Sequence, residues 1–221
     1  MKVLVLGATG MVGRGVLREC LLDPDVEKVI TVGRSPAGDP DPKLKEILSV
    51  SFEDFSSIEH ELEGVDACFF CLGVSSAGMK EAEYYRITYG FTLSAAKMLS
   101  RMHPGMTFIY VSGQGTDSTQ TGNVMWARVK GKTENALLQL PLNAFMFRPA
   151  IIEPLDGIRS RTTSYRIGYM LLKPLLPLLR WAFPNQVLTT RDIGRAMLAV
   201  ARRGYPRHIL ETADIRAAIG S

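Results

Sequence analysis

The stretch Gly7-Ala8-Thr9-Gly10-Met11-Val12-Gly13 decides how this chain folds. It follows the apolar run Val3-Leu4-Val5-Leu6 and opens onto Met11–Leu22, where Val12, Val16, Leu17, Cys20 and Leu21 recur at helical spacing. A strand, three glycines three residues apart and then a helix is the setting in which a glycine motif cradles a pyrophosphate. Gly7 permits the sharp exit from the strand, Gly10 leaves room for the phosphates, and Gly13 lets the helix press on the strands. The helix start presents unpaired N–H groups and a partial positive charge, which makes Thr9, Met11 and Val12 candidate phosphate contacts beside the glycines. The stretch implies a bound dinucleotide.

Outward from this loop, strand-length apolar runs alternate with helix-period segments. The strand candidates are Lys2–Leu6, Lys28–Val32, Leu48–Phe52, Ala67–Leu72, Thr107–Ser112 and Ala144–Arg148. Besides Met11–Leu22, helices are expected over Glu81–Met102 and Val124–Gln139, with an amphipathic one over Thr190–Arg202. This alternation predicts an α/β Rossmann fold: one doubly wound parallel sheet over residues 1–221, with a small C-terminal helical cap from about 150 to 190. At 221 residues one such domain accounts for the chain.

The end of the second strand bears on which dinucleotide is held. An NAD site places a carboxylate there for the ribose 2′-hydroxyl. Here Val29-Ile30-Thr31-Val32 runs into Gly33-Arg34, with no acid before Asp39. A guanidinium matches a 2′-phosphate in charge and geometry, so Arg34, with Arg14 just after the third glycine, points to NADP.

The bulk composition narrows the remaining classes. A formal charge of +4, without a Lys/Arg-rich run or a basic strip interleaved with aromatics, gives no footprint for nucleic acid. Cys20, Cys68 and Cys71 are too few and too odd for a disulfide framework, and Met1-Lys2 leads straight into the first strand. The expectation is a cytoplasmic protein without a signal peptide. Residues 167–183 are strongly apolar but hold Lys173, Arg180 and two prolines, which makes a poor membrane span. Arg166, Lys173 and Arg180 recur every seven residues. A helix covering an apolar pocket is expected there, and a helix lying on a membrane surface is the alternative.

One lysine stands out. Projected as a helix, Val124–Leu140 gathers Trp126, Val129, Thr133, Leu137 and Leu140 on one side, and Lys130 falls in the middle of it. A lysine among core residues costs desolvation energy unless a partner compensates it. The strand before this helix ends in Val111-Ser112-Gly113, which brings a hydroxyl toward the same cleft.

These segments, with Ala67-Cys-Phe-Phe-Cys-Leu-Gly73, Phe108-Ile-Tyr-Val-Ser112, Lys130-Gly-Lys-Thr-Glu134 and Phe147-Arg-Pro-Ala150, resemble the atypical, extended-like short-chain dehydrogenases/reductases. The similarity is greatest to the NAD(P)-binding proteins related to NmrA and the Tat-interacting oxidoreductase-like protein, and it covers nearly the whole length. The resemblance implies that Lys130 holds the nicotinamide ribose, that Ser112 orients a substrate oxygen, and that Leu72 and Gly73 line the adenosine side. It also implies that Pro149 and Ile151 lie near the nicotinamide. Active members carry a tyrosine four residues before the lysine, whose phenol moves the proton. This chain has Trp126 there, and an indole is no acid or base near neutral pH. Substitutes on offer are Ser112 with a water relay, Tyr84, Tyr85 or Tyr165, or a reaction that needs no tyrosine; as a packing residue, Trp126 closes the nicotinamide pocket.

Other signals are weak. Cys68 and Cys71 lie on a strand, where residues three apart face opposite ways, so they make no metal or redox pair. His60, His103 and His208 lack ligand spacing, and no metal is expected. Glu59, Glu61 and Glu63 read as a solvated helix end. The expected function is an NADP-dependent oxidoreductase of a small, fairly apolar substrate, working as a monomer or homodimer, with Ser112, Trp126 and Lys130 at its catalytic position. A catalytically silent NADP sensor or scaffold is the alternative that Trp126 favours, and an epimerase-like enzyme a further one.

Overall fold

A computed structural model of the chain describes residues 1–38, 40–48, 51–158 and 186–220. Its main sheet has seven strands, all parallel, in the order β3-β2-β1-β4-β5-β6-β9. These are β1 Lys2–Leu6, β2 Lys28–Gly33, β3 Leu44–Leu48, β4 Ala67–Phe70, β5 Thr107–Val111, β6 Asn143–Arg148 and β9 Ile209–Glu211. A second sheet pairs β7 Ile151–Glu153 with β8 Val187–Thr189. The strand order reverses between β1 and β4, so the crevice above their C-terminal ends is where a doubly wound sheet binds ligands.

Helices cover both faces because the strands are apolar on both. Along β1, Val3 and Val5 face one core with Val29, Phe69, Ile109 and Phe145, while Leu4 and Leu6 face the other with Ile30, Phe70, Phe108 and Met146. The first core lies under α1 (Met11–Leu22), α5 (Thr190–Arg203) and α6 (Thr212–Gly220); the second lies under α3 (Phe91–Met102). Cys20 and Cys71 belong to the first core and Cys68 to the second, so Cys68 of β4 and Cys71 just past it do face opposite ways.

The α1–α5 contact is close because small residues line it. A Cβ on Gly15 would lie 2.5 Å from Thr190 Cβ and 2.8 Å from its carbonyl oxygen. α5 begins in a capping box: Asp192 N–H donates to Thr189 Oγ1 at 3.1 Å, and Thr189 N–H donates to Asp192 Oδ2 at 2.8 Å.

Two expectations need correction. The third strand is Leu44–Leu48, not Leu48–Phe52. It is an edge strand with a partly exposed, charged Leu-Lys-Glu-Ile-Leu pattern, so apolarity does not mark it. Phe52 instead turns inward against Phe55 and stacks on Phe91 at 5.9 Å. The expected helix Glu81–Met102 is α2 (Glu81–Tyr85), a π-helical turn over Arg86–Gly90, then α3. Past Arg203 the chain re-enters the main sheet as β9 and α6, a short strand and helix without strong periodicity. The apolar helix expected across 167–183 and most of the cap lie outside the described residues.

The Gly15 contact yields a stability prediction. Gly15→Ala forces a methyl into backbone and should destabilise the fold by about 1–3 kcal/mol despite alanine's better helix propensity. Gly90→Ala meets nothing within 4 Å and should leave the melting temperature unchanged or slightly raised. Thermal unfolding of the two variants separates the cases.

Candidate functional site

The crevice is built by glycines that tolerate no side chain. Gly7 adopts φ +83°, and a Cβ there would lie 2.4 Å from Leu72 N and 2.6 Å from Cys71 C at the exit of β4. A Cβ on Gly13 would lie 2.1 Å from the Gly7 carbonyl oxygen. Gly10 closes the turn with an N–H donated to Gly7 O at 2.9 Å and stands at the N-cap of α1 without a side-chain cap. The first-turn N–H groups at Met11, Val12 and Gly13 therefore open outward, and no acidic residue sits in that turn to compete with an anion. The cradle fits a pyrophosphate.

A cleft of about 480 Å³, mouth included, runs from this loop across the ends of β2 and β3. Gly7, Ala8, Thr9 and Leu72 form one wall, and Thr31 to Ser35, Ile47 and Phe52 form the other. Arg34 lines it, exposed and without an ion pair. The nearby carboxylate Glu46 accepts the Ala37 N–H at 2.6 Å and does not line the cleft. Arg14 is not in this cleft; it lines the adjoining groove with Arg18 and Asp41, and Ala37 borders both. Gly73 continues past Leu72 as an exposed residue.

At the other end of the crevice the structure brings Ser112, Trp126, Lys130 and Pro149 together around one loop. Gln114 N–H donates to Pro149 O at 3.0 Å, and a Cβ on Gly113 would stand 4.0 Å from both Lys130 Nζ and Pro149 O. Trp126, at the start of α4 (Met125–Leu138), lays its ring 3.5 Å from a Cβ position on Gly115. Ser112 is buried and its hydroxyl donates to Phe147 O at 3.1 Å. Ile151 is held in β7 through its N–H to Gln186 O.

Lys130 Nζ donates to the Ser112 carbonyl oxygen. Burial pushes its pKa from the usual 10.5 down to about 8, with the Glu134 carboxylate pulling partly the other way. Gly131 follows because the 113–123 loop presses on α4: a Cβ there would lie 1.7 Å from Asp117 O. Asp117 braces that loop by accepting the Thr119 hydroxyl at 2.6 Å and the N–H groups of Gly122 at 2.8 Å and Thr119 at 2.9 Å, which hold its carboxyl below the usual range.

Of the substitute phenols, Tyr84 is fully buried in the core, and Tyr85 stacks on Tyr89 at 4.7 Å beneath Lys132. Tyr165 lies outside the described residues. Burial pushes the Cys71 thiol up to about 12, leaving no thiolate chemistry. The described residues hold no cluster fit for a metal and no helix long and apolar enough to cross a membrane. Glu59 and Glu61, read as solvated, pair with Arg101 and Lys45.

The functional residue that sequence reasoning missed is Glu134. Its side chain is 0% exposed and salt-bridged to Arg148, which also reaches Ser118 and Glu211. The signal was available: Glu134 follows Lys130 by four residues on the same helix face, and Arg148 ends β6.

Comparison with known proteins agrees with this geometry. Residues 2–109 match the family model described as semialdehyde dehydrogenase, NAD binding domain. The chain is 29% identical over 172 residues to "Protein FMP52-2, mitochondrial" of Scheffersomyces stipitis, covering 74% of this chain and 72% of that one. It is 25% identical over 154 residues to "Protein HTATIP2" of Rattus norvegicus, covering 68% and 62%. Among solved structures it resembles the Bordetella bronchiseptica enzyme WbmG in complex with NAD, with TM-score 0.70, 14% identity and coverage of 96% and 72%. A UDP-glucose 4-epimerase of Thermotoga maritima gives TM-score 0.68 at 15% identity, covering 96% and 76%. Together they make this an NAD(P)-binding Rossmann protein with an oxidoreductase-type fold. They also overturn the cytoplasmic expectation, because relatives from S. stipitis, Emericella nidulans and Debaryomyces hansenii are named mitochondrial proteins.

The buried Glu134–Arg148 pair generates a second stability prediction. Glu134→Ala strands the Arg148 guanidinium and should cost about 3–5 kcal/mol, a fall in Tm of roughly 10 °C. Glu134→Leu combined with Arg148→Met removes both charges and should recover much of that loss. Equal melting temperatures for wild type and Glu134→Ala would show that the pair contributes nothing.

Proposed function

We propose an NADP-dependent oxidoreductase activity, on a small and fairly apolar substrate, for this chain, which belongs to the NmrA-like and Tat-interacting oxidoreductase-like branch of the atypical short-chain dehydrogenases/reductases. The observation that carries the NADP choice is that Arg34 and Arg14, flanking Ala37, hold no partner. Every other arginine of the described residues engages a carboxylate or a backbone carbonyl. An uncommitted guanidinium in the adenosine cleft, with a second in the adjoining groove, suits a 2′-phosphate.

In this reading Thr9, Met11 and Val12 meet the pyrophosphate, Leu72 and Gly73 border the adenosine, and Lys130 grips the nicotinamide ribose. Pro149 and Ile151 border the nicotinamide, and Ser112 and Trp126 flank the substrate. NADP, when bound, supplies or accepts the hydride. The apolar substrate is inferred from the Leu-rich sequence 171–179. The second reading, a silent NADP sensor, rests on Trp126, which stands where the family's active members carry the tyrosine and lays its ring against Gly115.

Arg34→Ala should weaken NADP binding by about 10- to 100-fold, as loss of a charge-assisted hydrogen bond does, and leave NAD binding within a few-fold. Titration of both cofactors checks this, and equal losses would overturn the NADP assignment. NADPH consumption with a panel of aldehydes, ketones and quinones separates the two readings: turnover supports the enzyme, and tight binding without turnover supports the sensor.

A further inference from the structure

We propose that Lys130 itself carries the proton delivered to the substrate oxygen, so that the ammonium does the work of the missing phenol. The proposal rests on the oxidoreductase reading above. Three observations support it.

The first is elimination among the described residues at the nicotinamide end. Ser112 gives its hydroxyl hydrogen to Phe147 O, Trp126 has no titratable group, and Cys71 is held as a neutral thiol. Tyr84 is enclosed in the core, and Tyr85 is stacked against Tyr89. The second is donor accounting. An ammonium has three N–H donors, and Lys130 commits one, to Ser112 O. Two remain, one for the nicotinamide ribose and one for the substrate oxygen, and the lysine side chain is only partly buried beside Gly113. The third is acidity. A lysine at its ordinary value would hold its proton too tightly, whereas burial brings this one to about 8, near working pH.

The groups around Lys130 keep it in that range. Glu134, one turn on, raises its affinity for the proton, and Arg148 ties that carboxylate down. From β5 the neighbouring layer presents Tyr110, a buried phenol pushed up by burial, which shares its site with Tyr84 of α2 and with Thr133. Glu81 of α2 is paired with Arg128, Arg86 of the π turn with Glu53, and Lys132 lies over Tyr85 and Tyr89. None of these offers a competing proton to the crevice.

In the reductive direction a reduced nicotinamide is the reductant. The carbonyl carbon takes the hydride, the C=O π pair moves onto oxygen, and that oxygen forms an O–H bond as an Nζ–H bond of Lys130 breaks. The alcohol leaves, and the neutral amine regains a proton from water. In the oxidative direction the neutral amine takes the alcohol proton.

The test begins without turnover. In protein labelled at lysine Cε, the NMR resonance that disappears in Lys130→Met should titrate in wild type near pH 8, far from the usual 10.5. With a reducible substrate, kcat/KM for reduction should fall about tenfold per pH unit above that midpoint, and oxidation should rise through it. Lys130→Arg keeps the charge but cannot release a proton there, so it should lose about 10²- to 10⁴-fold in rate and show no alkaline break. A circular dichroism spectrum and melting temperature close to wild type verify that Lys130→Arg is folded. Titration at the ordinary value, or an alkaline break that survives Lys130→Arg, overturns the proposal and leaves the oxidoreductase reading standing. Binding of NADPH without turnover of any substrate overturns both.

Discussion

The architecture depends on one close approach, the β1–α1 turn against the exit of β4. Gly7 lies so near Leu72 and Cys71 that any Cβ would collide with their backbone, and Gly13 lies equally near Gly7. With those contacts made, α1 enters with its N-terminus over the β1–β4 gap, where the strand order reverses. One turn further on, α1 is held by α5 through Gly15 and Thr190. The phosphate cradle and the helix packing are thus consequences of the same absence of side chains.

The second organising feature is electrostatic. Lys130, Glu134 and Arg148 form a line from the crevice to the core, each a charge that burial penalises and its neighbour compensates. Arg148 is stabilised most by its bonds to Glu134, which raise its pKa further. It reaches Ser118 and Glu211 as well, so it joins α4, the 113–123 loop and β9 at one point. The residue after it, Pro149, lends its carbonyl to the loop beside Lys130. The pair therefore acts on the crevice at two places, through the charge near Lys130 and through the path of the backbone.

What was legible in the sequence was whatever rests on local pattern. The glycine spacing, the two-sided apolar strands and the absence of an acid after Val32 each follow from short-range periodicity or from a single backbone demand. The misplaced third strand shows the limit. Lys45 and Glu46 sit on an edge, where one face meets water, so apolarity pointed four residues too far along. Phe52, which drew the strand assignment, is apolar because it packs on Phe55 and Phe91. The π turn at Arg86–Gly90 left the helical period intact on both sides and so stayed invisible.

The same distinction applies to the site. Lys130 was visible because it broke an apolar face, a contradiction within one helix. Glu134 was passed over, because its partner Arg148 lies on β6 and a carboxylate at that spacing reads equally well as a surface ion pair with Lys130. Ser112 is the converse case: its type and position suggested a group aimed at substrate, yet its hydroxyl hydrogen is committed to the neighbouring strand. A side chain's chemistry is set by what its hydrogen bonds leave free. By that measure Lys130 keeps free donors at the nicotinamide end, and among the described residues Arg34 is a free cation in the adenosine cleft, with Arg14 free in the groove beside it.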